Sequence, residues 1–340
     1  DNGLFINMNP KDVPDYNQEK HFWDQDLDSL QFWVSEWNKI KNGINIDGYE
    51  MSPWMYFHLN YFKTPIKNQG NKIMNPPLRD NEWYIDEIKK YARKKALELL
   101  SAAIIIYGTR RFSKTTAESS HIHHGILIFS TESGTMMSTN DIDLNSMIDK
   151  LKKSLENIHP AFKINILSGK DFQKESIFGL KSSSGRTSYE HFTLAITNTD
   201  GGSKKGGQKT AGGNPKVYVS DEIGKDSFLK AHRAAVPSFE SDYGWVCQPI
   251  YSGTAGEEDL SKDAETVLRN PEGNDFIKMD WDILEYGIPK QFITWTRRTF
   301  GWFLPAQMAV KTGHKKIKTN LAEFLNIESE ELSKVEFYDL

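Results

Sequence analysis

The 340-residue chain sets 42 Lys and Arg against 46 Asp and Glu, for a net charge of −4, with 38% hydrophobic residues. That balance excludes disordered, collagen-like and coiled-coil chains, and it confines any nucleic-acid contact to local patches. Apolar runs such as 102–107 fall far short of the ~20 residues that span a bilayer, and the single cysteine, Cys247, rules out an intrachain disulfide and favours a reducing, cytosolic setting.

Residues 1–100 are expected to form a helical, aromatic-rich segment. Phe32, Trp33, Trp37, Trp54, Tyr56, Phe57, Tyr61 and Phe62 crowd it, and Asn75-Pro76-Pro77 breaks it. These rings suit either a base-stacking surface or a layer packed on a core, and the burial preference of aromatic side chains favours the layer. Ile85, Ile88, Tyr91, Ala92, Ala96 and Leu99 recur at helical spacing and predict an amphipathic helix over 83–100. The chain opens at Asp1 without a charged-then-apolar leader, which reads as a trimmed or processed end.

Residues 101–260 change character. Ile104–Tyr107 is a bounded apolar run followed by Gly108, and an amphipathic helix is predicted from Thr115 to His124. A strand over Ile126–Phe129, a helix over Leu144–Ile158 and strands at His191–Thr197, Val217–Ser220 and Trp245–Ser252 follow. Interleaved strands and helices predict an α/β fold, a mainly parallel sheet flanked by helices on both faces. The low-complexity stretch Gly201–Gly213 is expected to be a loop. Residues 261–340 are polar and irregular, with an aromatic block at Phe292–Pro305 and a predicted helix over Leu321–Val335, suggesting a lid-like or linking C-terminal subdomain.

Two motifs carry chemistry. Gly108-Thr109-Arg110-Arg111-Phe112-Ser113-Lys114-Thr115 has the spacing of a phosphate-binding P-loop, with Ser113 where the second glycine belongs. In such a loop the backbone N–H groups from Gly108 to Thr116 face phosphates and the helix start adds its dipole; Lys114 meets the β- and γ-phosphates, and the Thr115 hydroxyl serves Mg²⁺. Ser113 adds bulk where backbone and phosphate meet, implying weaker or slower nucleotide turnover. An ordinary basic strand-to-helix loop is the plainer reading, but the position between an apolar strand and an amphipathic helix favours the P-loop. Downstream, Val217–Ser220 delivers Asp221 and Glu222 at its C-terminal end. Asp221 suits the metal and Glu222 suits the attacking water. Alone, the two acids would as readily start a helix near Gly224–His232; paired with Lys114 they suggest a nucleotide hydrolase, an ATPase with ATP and Mg²⁺ as cofactors.

These segments resemble the ATPase domain of the large terminase subunits that package DNA in tailed bacteriophages. The likeness also takes in Ser252-Gly253-Thr254-Ala255-Gly256, Asn270-Pro271 and Gly301–Pro305, and it covers roughly residues 50–310. It implies a P-loop NTPase core at 101–260. It implies an Arg110 that acts on the γ-phosphate, with Arg111 as the runner-up. It implies that Ser252, Gly253 and Thr254 couple hydrolysis to DNA movement, although a plain Ser-Gly turn fits them equally well. Arg79, ahead of the Asp80–Trp83 stretch, sits where such enzymes contact adenine, and a surface arginine is the plainer reading. Implied partners are double-stranded DNA, a portal protein, a small terminase subunit and further copies in a ring, with no membrane and a setting in the host bacterial cytoplasm, transiently on the procapsid portal. Large terminases usually continue into a nuclease; no strand-rich stretch remains here for one, so a motor domain without DNA cleavage is expected. A helicase-like ATPase and a non-hydrolysing nucleotide-binding scaffold are the alternatives.

Other groupings are weighed against chemistry. His121, His123 and His124 sit within one helix without a nearby cysteine or carboxylate to complete a metal set, which favours packing roles. Cys247 is expected to be a small buried hydrophobe. Lys204, Lys205 and Lys209 suit either a solvated loop or sequence-indifferent contacts with DNA phosphates.

Overall fold

The computed structural model describes residues 12–46, 49–66, 70–76, 82, 85–90, 103–108, 113–181, 187–198, 214–225, 228–241, 244–254, 258–274, 276 and 302–304. Helix α1 (Leu27–Asn42) is capped by the Asp26 carboxylate, which accepts from the Ser29 N–H, and α2 (Pro53–Asn60) by the Ser52 hydroxyl with Pro53 in its first turn. Two short antiparallel pairs accompany them, β1 (Ile44–Ile46) with β2 (Tyr49–Met51) and β3 (Thr64–Ile66) with β4 (Lys72–Met74). The core then alternates β5 (Ile104–Gly108), α3 (Lys114–Ile128), β6 (Ser133–Ser138), α4 (Asp141–Asn157), β7 (Asn165–Ser168), β8 (Glu175–Lys181), β9 (Thr187–Asn198) and β10 (Pro215–Asp221). Helix α5 (Phe228–Ala235), the pair β11 (Glu240–Ser241) and β12 (Gly244–Trp245), strand β13 (Gln248–Gly253), helix α6 (Glu258–Arg269) and strand β14 (Trp302–Leu304) complete it.

Among the described residues, eight strands form the central sheet in the order β14-β5-β13-β10-β6-β9-β8-β7. The pairs β14–β5, β5–β13, β13–β10, β10–β6 and β6–β9 are parallel, while β9–β8 and β8–β7 are antiparallel. Both faces are covered, so Ile104–Ile106 of β5 and Val217–Val219 of β10 are apolar on both faces instead of alternating with polar residues. Ile104, Ile106, Val217, Val219 and Ile250 join one buried cluster with α1 to α4, and Ile105, Tyr107, Tyr218 and Tyr251 join a second with Phe228, Leu229, Ala264 and Val267. Trp33, Trp54, Tyr56, Phe57, Tyr61 and Phe62 are buried in the first cluster, so these aromatics are a packed layer and not a stacking surface; Phe32 and Trp37 pack against it half-buried. Buried Glu36 accepts bonds from the hydroxyls of Tyr56 and Tyr61, each at 2.5 Å, and so fixes the polar ends of that layer.

The parallel sheet and its helical cover follow the sequence expectation, with local corrections. Ile126–Phe129 is not a strand. Ile126–Ile128 is the last turn of α3, which is buried on nearly every side, polar residues included, because it lies between the sheet and the N-terminal layer. The strand instead is β6, whose sequence SGTMMS has little intrinsic strand preference and is held by β9 and β10 on its two sides. Trp245 lies in the β11–β12 ladder and β13 begins only at Gln248. The segment after Glu222 is a 3₁₀ turn, Ile223–Lys225, before α5. The antiparallel extension by β7 and β8 is not anticipated. Of the predicted 83–100 helix, residues 85–90 are helical; Gly201–Gly213 and Leu321–Val335 lie outside the described residues.

The three neighbouring histidines are internal parts of this packing. His121 Nδ1 is 3.0 Å from Lys89 Nζ, His123 Nδ1 is 2.9 Å from Ser154 Oγ and His124 Nε2 is 2.8 Å from the Ile40 carbonyl. Burial, reinforced by His124, holds His123 down to about 3. The folded chain therefore keeps His123 neutral where the unfolded chain binds a proton, and stability is lost as pH falls below the ordinary histidine value. Between pH 7 and 4.5 the unfolding free energy of wild type, from denaturant titrations, is expected to fall more steeply than that of His123→Asn, by up to about 1.4 kcal/mol per pH unit; parallel slopes would refute this.

Candidate nucleotide site

Sheet order creates the site. Strand β13 lies between β5 and β10, with Ser252 opposite Ile106 and Tyr251 opposite both Ile105 and Ser220. The C-terminal ends of β5, β13, β10 and β6 thus open onto one edge, where parallel α/β sheets bind ligands. Helix α3 starts at that edge. Its N-cap, Ser113, sits at φ 57° and ψ 13°, the left-handed region that favours glycine. The departure from the P-loop pattern is thus a matter of backbone conformation as well as bulk. Gly125 seats the helix: a Cβ there would come within 2.4 Å of Val217 Cγ2, so its absence lets α3 lie directly on β10.

Thr115 and Asp221, 106 positions apart, meet at this edge: the Thr115 hydroxyl donates to Asp221 Oδ2 at 2.9 Å. The other oxygen, Oδ1, accepts from the Ser252 hydroxyl at 2.9 Å and from the Glu222 N–H at 2.8 Å. Glu222 also has a left-handed backbone, at φ 60°, and its Oε2 accepts from the Thr254 hydroxyl at 2.9 Å. Ser252 and Thr254 therefore each hold one of the two acids. Between them the chain passes so close to the turn after Glu222 that side chains are excluded. A Cβ on Gly224 would lie 2.0 Å from the Thr254 carbonyl oxygen, and one on Gly253 would lie 2.9 Å from the Gly224 nitrogen.

Burial dominates the electrostatics of this corner. Burial pushes the Asp221 carboxyl up, and the neighbouring Glu222 adds to the shift, against the hydrogen bonds from Ser252 and Thr115. Burial pulls Lys114 down, opposed by the charges of Asp221, Glu118 and Glu222. Glu118, one turn along α3 and 3% exposed, is raised well above the carboxylate range by burial and by Asp221. Burial thus works against the charged forms of Asp221, Glu118 and Lys114 alike in this poorly solvated corner. A hydroxyl and a carboxylate 2.9 Å apart are hard oxygen donors of the kind that hold Mg²⁺ while water and phosphate complete its shell. Among the described residues, no group of three or more His, Cys, Asp or Glu is arranged to hold a metal by itself.

Sequence reasoning singled out Lys114, Thr115, Asp221, Glu222, Ser252, Gly253 and Thr254, and all border this edge; Gly108 ends β5 and Ser113 and Thr116 open α3. Arg79, Thr109, Arg110, Arg111 and Phe112 lie outside the described residues. Glu118 was missed, although a charged residue four places after Lys114 on a buried helix face was a usable signal. Asp143, discussed below, gave no local signal, and Lys225 stood out only as the end of the Ser220–Lys225 segment that follows the β10 core, without a role of its own. Cys247 packs in the second buried cluster, with its thiol pushed up by burial.

The fold is a mixed α/β one, a mainly parallel sheet flanked by helices, with the described candidate residues gathered at the C-terminal edge of its strands. In structure the chain is similar to large terminase ATPase domains. A point variant of the Thermus phage P74-26 large terminase ATPase domain matches with 12% identity and a TM-score of 0.43, covering 79% of this chain and 96% of that one. The same domain in another structure gives 13% identity and 0.41, covering 75% and 96%. The large terminase of a second, thermophilic bacteriophage gives 10% identity and 0.40, covering 73% of this chain and 50% of that one. No family model matches the sequence, and no curated protein matches it. Among the described residues, no helix is long and apolar enough to cross a membrane.

The left-handed Ser113 generates a test. Ser113→Gly is expected to stabilise the fold by up to about 1 kcal/mol and to tighten ATP binding in a fluorescent-nucleotide titration. A lower Tm with unchanged binding would contradict the strain argument.

Proposed function

We propose that the chain is a Mg²⁺-dependent ATPase. The observation that carries this reading is the 2.9 Å contact between Thr115 Oγ1 and Asp221 Oδ2, at the junction of a P-loop-spaced segment and an acidic strand end. Thr115 and Asp221 would hold Mg²⁺, which when bound offsets charge on the β- and γ-phosphates. The N-terminus of α3 and Lys114 draw the phosphates to the sheet edge. Glu222 orients a water and accepts its proton; the water oxygen bonds to the γ-phosphorus while the bond to the β–γ bridging oxygen breaks, and ADP departs with that oxygen. The proton then passes from Glu222 to solvent. Arg110 is the candidate for stabilising charge on the transferring phosphoryl group.

The wider reading is translocation of double-stranded viral DNA into a procapsid, and it rests on the resemblance of the sequence segments to large terminases. It brings a portal protein, a small terminase subunit and a ring of copies as partners, on the portal in the host cytoplasm. Ser252 and Thr254, bonded to the two acids, are suited to pass a change at the phosphates into β13. A strand-displacement assay separates this motor from a helicase-like enzyme, since a packaging motor moves duplex without unwinding it.

Lys114→Ala and Glu222→Gln are each expected to lower steady-state phosphate release by at least about 100-fold. Glu222→Gln should still bind ATP, whereas Lys114→Ala should bind it poorly. A Glu222→Gln protein of normal rate would overturn the base assignment.

A further inference from the structure

Lys225 stands beside the proposed base and belongs to none of the roles above. It ends the 3₁₀ turn that follows Glu222, and its Nζ lies 2.9 Å from Asp143 Oδ2 and 3.5 Å from Glu222 Oε2. Asp143 is itself held in the first turn of α4: its N–H donates to Asn140 Oδ1 at 2.9 Å, and its Oδ2 accepts from Asn140 Nδ2 at 2.8 Å. The turn carrying Lys225 is gripped from the other side as well, where the Ser261 hydroxyl of α6 donates to the Gly224 carbonyl at 3.1 Å. An ammonium thus links the start of α4 to the acidic corner of β10, with α6 fixing the backbone between them.

The geometry at Glu222 gives this link a consequence. The Thr254 hydroxyl and the Lys225 ammonium both address the same oxygen, Oε2. One donor comes from the end of β13 and the other from the turn tied to α4, so two directions fix the carboxylate plane. Oε1 takes neither bond.

We infer that Lys225, braced by Asp143, is a positioning residue for Glu222: it pins Oε2 and so reserves Oε1 for the attacking water. This rests on the hydrolase reading above. The ion pair is partly exposed, with Lys225 at 31% and Asp143 at 22% of full side-chain exposure, so its removal costs the fold little. Turnover is more sensitive, because a misplaced catalytic group costs rate steeply even when binding is intact.

The test measures steady-state phosphate release, KM for ATP and Tm, with Mg²⁺ and duplex DNA present, for wild type, Lys225→Ala, Lys225→Arg, Asp143→Ala and the Lys225→Ala/Asp143→Ala double variant. Lys225→Ala is expected to lower kcat by about tenfold, with KM within about twofold and Tm nearly unchanged. Lys225→Arg should recover part of the loss, and the double variant should be no slower than the slower single one, as for residues acting as one unit. Lys225→Met, which keeps the length of the stem, replaces Lys225→Ala if that variant folds poorly. Wild-type turnover left intact by loss of Lys225 overturns the brace alone, as does a double variant that multiplies the two single losses. A lowered Tm and raised KM with kcat unchanged would assign Lys225 a structural role and overturn it too. Wild type without turnover would instead overturn the hydrolase reading, and the brace with it.

Discussion

The structure turns on one contact, the 2.9 Å hydrogen bond from the Thr115 hydroxyl to the Asp221 carboxylate. Everything else at the sheet edge is arranged around it. Strand β13, inserted between β5 and β10, carries Ser252 to the second Asp221 oxygen. The missing side chain of Gly125 lets α3 lie on Val217, which sets the height of Thr115 relative to the end of β10. The result is a carboxylate with four hydrogen-bonding opportunities, three of them occupied by Thr115, Ser252 and the Glu222 N–H. Burial and the adjacent Glu222 both work against its charged form.

Strain marks the same corner. Ser113 and Glu222 are among five non-glycine residues with positive φ among the described residues, and they flank the Thr115–Asp221 contact from opposite chain segments. Each conformation costs roughly 1–2 kcal/mol, a cost that persists where surrounding structure over-determines it. For Glu222 the surroundings are explicit: Thr254, Lys225 and the close approach of Gly224 to the Thr254 carbonyl hold it. The segment Ser252–Thr254 is therefore hydrogen-bonded to both acids, and Ser261 ties α6 to the turn that follows Glu222.

Much of the core was legible because its signals are local. The apolar run at Ile104–Ile106, the helical spacing after Lys114 and the apolar approach to Asp221 each announce an element within a few residues. What remained hidden depends on long-range pairing. Ser133–Ser138 becomes a strand only because β9 and β10 flank it, and Ile126–Ile128 stays helical because α3 is buried on nearly every side. At the site, Lys114, Thr115, Asp221 and Glu222 stood out through spacing, whereas the pairing of Asp143 with Lys225 spans 82 positions and has no motif. The left-handed backbone of Ser113 was visible only as a missing glycine.

The most direct measurement is a structure determined with a non-hydrolysable ATP analogue and Mn²⁺ in place of Mg²⁺, using anomalous scattering to locate the metal. The account requires a manganese peak within coordinating or single-water reach of both Thr115 Oγ1 and Asp221 Oδ2, with the phosphates against the turn from Gly108 to Thr115. Phosphates bound elsewhere, or a metal peak away from Asp221, would contradict it.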